Sequence, residues 1–160
     1  MPSIDRMRRT LAAAAVVAAA LTTGGCTVPE VGAVGIGVDA NGDPVGFVQV
    51  CRDHIDGATI YLSDSLTFGE WSASPAVTGF STWSLTDPQG GWKADDPLHT
   101  LKPRTTYSMY GWTTDNSSSA ESVQFTVEQL AAMEPGQVRT DAGVTSEDEF
   151  RKGTCARFGS

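Results

Sequence analysis

The chain is 160 residues long, carries a formal net charge of -8, and has 19 acidic residues against 11 basic ones. That length suits one domain with its own core. The charge argues against nucleic acid and anionic lipid headgroups as partners, because binding them rests on clusters of Lys and Arg that are missing after residue 25.

The chain begins with Arg6, Arg8 and Arg9, an unbroken alanine-rich run from Leu11 to Leu21, and then Thr22, Thr23, Gly24, Gly25 and Cys26. A basic start, a short apolar stretch and small residues before a processing point form the pattern of a secretory signal peptide. The run is shorter than the about 20 apolar residues of a membrane-spanning helix. Residues 1–25 therefore read as an address and not as part of the fold.

Gly24 and Gly25 directly before Cys26 resemble the lipobox of bacterial lipoproteins, with Thr23 where that family favours leucine. The resemblance implies that Cys26 receives a diacylglycerol and becomes the first mature residue, with residues 26–30 as a tether. The protein would then sit on the outer face of the cell membrane; an ordinary cleaved signal and a secreted product is the alternative. Removing residues 1–25 leaves 8 basic and 18 acidic residues and moves the net charge from -8 to -10. With Cys26 acylated, Cys51 and Cys155 remain, and an even remainder in an exported protein predicts one disulfide between them.

From Val31 to Cys51 two apolar runs flank Asn41-Gly42, the strongest short hairpin signal. A two-residue turn there sets Val38 opposite Val45. One face then collects Val34, Ile36, Val38, Val45, Phe47 and Cys51 as core, and the other carries Val48 and Val50. Asp39, Asn41 and Asp43 look like the start of a calcium loop, but Val50 stands where its closing glutamate belongs. Ala58 to Leu62 suits a strand, Trp83 and Leu85 alternate with Ser84 and Thr86 as in a half-buried strand, and Asp87 to Gly91 makes a turn. No helical period precedes residue 127.

Leu101, Pro103, Thr105 and Tyr107 resemble the segment of a fibronectin type III domain that leads into its sixth strand. Tyr107–Thr113, a polar turn and Ser122–Val127 look like that family's last hairpin. The resemblance implies an all-β, immunoglobulin-like sandwich over residues 31–160, and a tyrosine corner in which the Tyr107 hydroxyl bonds to backbone near Leu101 or Lys102. Arg104 departs from it, because the family has Gly there. In the tail, Glu128–Met133 suits a short helix. Ser146 and Glu149 match a capping box for a second, with Phe150 turned inward and Gly153 as its stop.

Chemistry is sparsely marked. His54 lies between Asp53 and Asp56, a setting open to a base or metal ligand, yet there is no serine elbow and no second histidine at ligand spacing. Asp95, Asp96 and His99 raise the same thought with as little support. No cofactor or metal site is expected. Phe68, Trp71, Phe80, Trp83, Trp92 and Trp112 concentrate in a region rich in Ser, Thr and Gly. Trp83 and Trp112 lie in strand-like alternation and read as core. Trp71 and Trp92, beside Gly or turn residues, are the candidates for an exposed binding surface, with core packing as the competing role. The leading expectation is a non-enzymatic, lipid-anchored envelope protein that binds a protein or glycan. The alternatives are a small hydrolase or metal-dependent enzyme using Asp53, His54 and Asp56, and an accessory subunit of a membrane complex.

Overall fold

A computed structural model of the chain describes residues 27–63 and 66–159. Cys26, and with it the signal and the anchor, lies outside the described residues. The strands are β1 (Glu30–Val38), β2 (Pro44–Val50), β3 (Ile55–Leu62), β4 (Leu66–Val77), β5 (Phe80–Ser84), β6 (Trp92–Asp96), β7 (Tyr107–Trp112) and β8 (Ser119–Phe125). The tail adds helix α1 (Val127–Ala131), strands β9 (Gln137–Thr140) and β10 (Gly143–Ser146), helix α2 (Glu147–Gly153) and a 3-10 turn (Thr154–Arg157). The all-β expectation with a short helical tail holds. No helix among the described residues is long and apolar enough to cross a membrane.

Strand pairing runs β1–β2–β5 on one side and β6–β4–β3–β7–β8 on the other. The two sets join where β1 lies parallel to β8, with Gly32 opposite Ala120 and Ala33 opposite Glu121, so that the whole sheet nearly closes into a barrel. Inside it, Val34, Ile36, Ile60, Trp71, Met109 and Phe125 are essentially inaccessible. A second, smaller cluster lies on the outside of β1 and β2, where Ala33 and Phe47 are covered by Val138 and Phe150 of the tail. This cover explains why β1 is buried on both faces from Val31 onwards.

The β1–β2 hairpin corrects the expected register. Val38 lies opposite Pro44 and Gly37 opposite Val45. The turn is longer than Asn41-Gly42 because the Asp39 carboxylate accepts from the Asn41 and Asp43 N–H groups at 2.8 and 3.0 Å, closing a loop over residues 39–43. A slip of one residue reverses every side chain of a strand. Val48 and Val50 therefore join the main core, while Phe47 and Val45 turn to the second cluster. Cys51 follows Phe47 toward the tail and is bonded to Cys155, with 5.2 Å between their Cα atoms.

The tail follows its local signals. Ser146 and Glu149 form the reciprocal capping box that opens α2, and Phe150 is buried. Gly153 does not stop the chain's turning: it continues into the 3-10 turn, where the Thr154 hydroxyl donates to the Phe150 carbonyl at 2.6 Å. Upstream, the Lys102 N–H donates to the Tyr107 hydroxyl at 2.8 Å, the expected corner bond. Arg104 has φ +56°, a left-handed conformation that favours the glycine of the fibronectin pattern.

Candidate functional site

Trp71 and Trp92 are not surface residues; their rings are 0% and 5% exposed. Trp71 stands opposite Ala58 of β3 and Ala94 of β6, whose small side chains leave room for an indole inside the sheet. Gly69 is part of that room, since a Cβ there would strike the Trp71 ring. The glycine that reads as a loop signal in the sequence is thus a packing concession to the ring. Trp92 stacks on Trp83 with centroids 3.9 Å apart, and its Nε1 donates to the Ser81 hydroxyl at 2.9 Å. These three indoles form one block of core.

Trp112, expected in the core, lies on the outer face. Along β7 the residues Tyr107, Met109 and Gly111 point inward, so Ser108, Tyr110 and Trp112 point outward and are only half-buried. Tyr107 fixes this parity, because a corner tyrosine must face the interior and Trp112 is five residues further on. Pairing with β3 puts Gly57 opposite Trp112, Thr59 opposite Tyr110 and Tyr61 opposite Ser108. The six-membered ring of Trp112 lies over Gly57, where any Cβ would collide with it. The indole therefore lies against the Gly57 backbone on one side, is half-buried, and borders an open recess.

A short polar chain fixes the ring edge. Trp112 Nε1 donates to Thr59 Oγ1 at 2.9 Å, and Thr59 Oγ1 donates to Glu70 Oε2 at 3.1 Å. Tyr61 meets Tyr110 edge to face with centroids 5.6 Å apart. Burial, then the negative charge of Glu70, then Tyr61 raise the Tyr110 hydroxyl above its ordinary pKa, so it remains a hydrogen-bond donor. Glu70, Tyr110, Trp112, Thr113, Thr114 and Asn116 line an open recess of about 320 Å³ at the end of this face. Tyr61, Tyr110 and Glu70 were legible only through strand parity, which composition does not reveal.

The Asp53, His54 and Asp56 group does come together, where the turn after β2 runs into the start of β3. His54 Nδ1 is 2.6 Å from Asp53 Oδ1, and its Nε2 is 3.6 Å from Asp56 Oδ1. Both carboxylates also hold the β7–β8 turn: Asp56 Oδ2 accepts from the Thr114 N–H at 2.8 Å, and Asp53 Oδ2 from the Ser118 hydroxyl at 3.2 Å. The hydrogen bond to Asp53 raises the His54 pKa most; burial opposes it next, and the charges of Asp56, Asp53 and Asp115 each add a smaller increase. Both ring nitrogens face carboxylates, which suits a clasp between two loops better than a base with a free nitrogen. Among the described residues no three His, Cys, Asp or Glu side chains are arranged to hold a metal ion. Asp96 and His99 make a separate exposed pair at 3.1 Å, beside the Lys93–Asp95 pair at 3.4 Å.

No family model matches the chain, and neither the curated proteins nor the solved structures give a match.

Proposed function

We propose that this chain is exported, is held on the outer face of a cell membrane by a lipid on Cys26, and binds a ligand of the envelope without catalysing a reaction. Its fold in this reading is an immunoglobulin-like sandwich of the fibronectin III kind. Three features favour that fold: the β1–β2–β5 and β4–β3–β7–β8 pairings, the parallel contact of β1 with β8, and the Tyr107 corner bond. The anchor is favoured by Gly24, Gly25 and Cys26 after the apolar run.

One observation carries the binding role. Tyr61, Tyr110 and Trp112 form a ridge of half-buried aromatic rings on an open sheet face, held rigid by Gly57, Thr59 and Glu70. Aromatic side chains kept partly exposed in fixed orientations are the usual anchors of recognition surfaces. The test uses the unlipidated Cys26→Ala chain mixed with isolated cell envelopes and sedimented. Saturable co-sedimentation is expected, lost by at least about tenfold, roughly 1.4 kcal/mol, in Trp112→Ala and Tyr110→Ala. Equal sedimentation of the native and both variant chains overturns the reading.

A further inference from the structure

We infer that the outer face of β3, β4 and β7 is a subsite for an uncharged pyranose glycan, with the Trp112 ring as stacking platform and the Glu70 carboxylate as acceptor for sugar hydroxyls. The inference rests on the binding role proposed above and names its ligand class.

A pyranose ring has a face of C–H groups and an edge of hydroxyls. It therefore needs an aromatic plane beside a polar group at the plane's rim, and both are present. The Trp112 ring is backed by Gly57 and tied at Nε1 to Thr59, so its outward face is offered without loss of side-chain freedom on binding. Negative π density on that face attracts the weakly positive C–H groups of a sugar. Thr59 occupies Oε2 of Glu70, while no described residue bonds to Oε1. A carboxylate accepting from a hydroxyl makes a hydrogen bond roughly twice as strong as a neutral one. Across the recess, Thr114 and Asn116 supply hydroxyl and amide groups, and Tyr110 a phenol.

Charge selects among glycans. No Arg or Lys lines the recess, Asp56 binds the backbone of Thr114 at its wall, and Asp96 pairs across from Glu70. Uronates, phosphates and sulfates would be repelled. A protein ligand fits less well, because the exposed large apolar side chains, Leu66 at 54% and Val144 at 51%, belong to β4's start and to β10, away from the recess.

Calorimetric titration of the intact chain tests this with cellohexaose, xylohexaose and the hexamer of β-1,4-linked N-acetylglucosamine as neutral probes, and polygalacturonate as the anionic one. Saturable heat with at least one neutral probe is expected, with no heat from polygalacturonate. Glu70→Gln, which keeps an acceptor for Thr59, should weaken that binding about tenfold at unchanged melting temperature. Trp112→Phe should retain part of it and Trp112→Ala none. Polygalacturonate binding as tightly as the neutral probes, or an unaltered affinity in Glu70→Gln, overturns the inference. Absence of heat with every neutral probe also overturns it. In that case envelope binding that still depends on Tyr110 and Trp112 leaves the binding role standing, and its absence as well removes both.

Discussion

Arg104 holds a left-handed backbone at φ +56° while its N–H donates to Glu128 Oε1 at 2.8 Å. That conformation costs a non-glycine residue about 1–2 kcal/mol, partly offset by the freedom glycine has in the unfolded chain. Arg104→Gly should therefore stabilise the protein by about 0.5–1 kcal/mol in urea unfolding, because the backbone bond to Glu128 survives. A loss of stability would mean that the arginine side chain contributes more than its backbone strain costs. Tyr107→Phe should cost about 1 kcal/mol or somewhat more by leaving the Lys102 N–H without its acceptor. His54 adds a pH dependence. Its pKa is raised in the folded state, so its clasp on Asp53 and Asp56 is complete below the ordinary histidine value of about 6.5 and is lost as pH rises through the higher folded value. Relative to His54→Asn, the native melting temperature should fall across that rise, and the imidazole should titrate above about 6.5 by NMR. A flat difference across that range would contradict the clasp. At this scale Tyr107 and Ser146 were legible because each carries a local bonding pattern. Trp71 and Trp92 were not, because glycine beside a large ring means space in a core as readily as a turn.

The helices α1 and α2 and the strands β3 and β5 stand close to where their local sequence signals place them, and β7 and β8 close to the hairpin expected after Tyr107. The hairpin at Asn41-Gly42 was visible as a turn, yet its register depended on which groups the Asp39 side chain would bond, a choice no alternation pattern encodes. β4 and β6 were not visible. Ser, Gly and Pro in Leu66–Val77 depress strand propensity, and β4 exists because β3 and β6 supply partners on both sides. β9 and β10 are 4 residues each, too short for an alternation to stand out, and are placed by β1 and α2. The Cys51–Cys155 bond pins this tail across a sequence separation of 104 residues. In the chain-entropy model such a loop stabilises by up to about 4.7 kcal/mol. The double variant Cys51→Ala and Cys155→Ala should lose several kcal/mol by denaturant unfolding, and an unchanged midpoint would contradict that role.

Taken whole, the molecule places its aromatic face near the end where the chain arrives from residue 26. Trp112 is opposite Ser119 of β8, and Ser119 is opposite Glu30, where β1 begins. Two strand spacings, about 10 Å, separate the ring from that point. Residues 26–30 can extend at most about 17 Å. A lipid on Cys26 would hold the recess close to the membrane surface, where an envelope ligand is concentrated. Intact mass of the mature protein should give a lipidated Cys26 as its first residue, and an unmodified terminus further downstream would remove the anchor. The all-β class and the disulfide partners could be read along the chain. The proposed binding face could not, because it exists only once β3, β4 and β7 lie side by side. Backbone amide chemical shifts, recorded while solubilised envelope glycan is added to the isotope-labelled protein, address that face most directly. Shifts confined to Gly57–Tyr61, Glu70 and Tyr110–Asn116 are expected; shifts confined to the tail or to the outside of β1 and β2 would contradict the assignment.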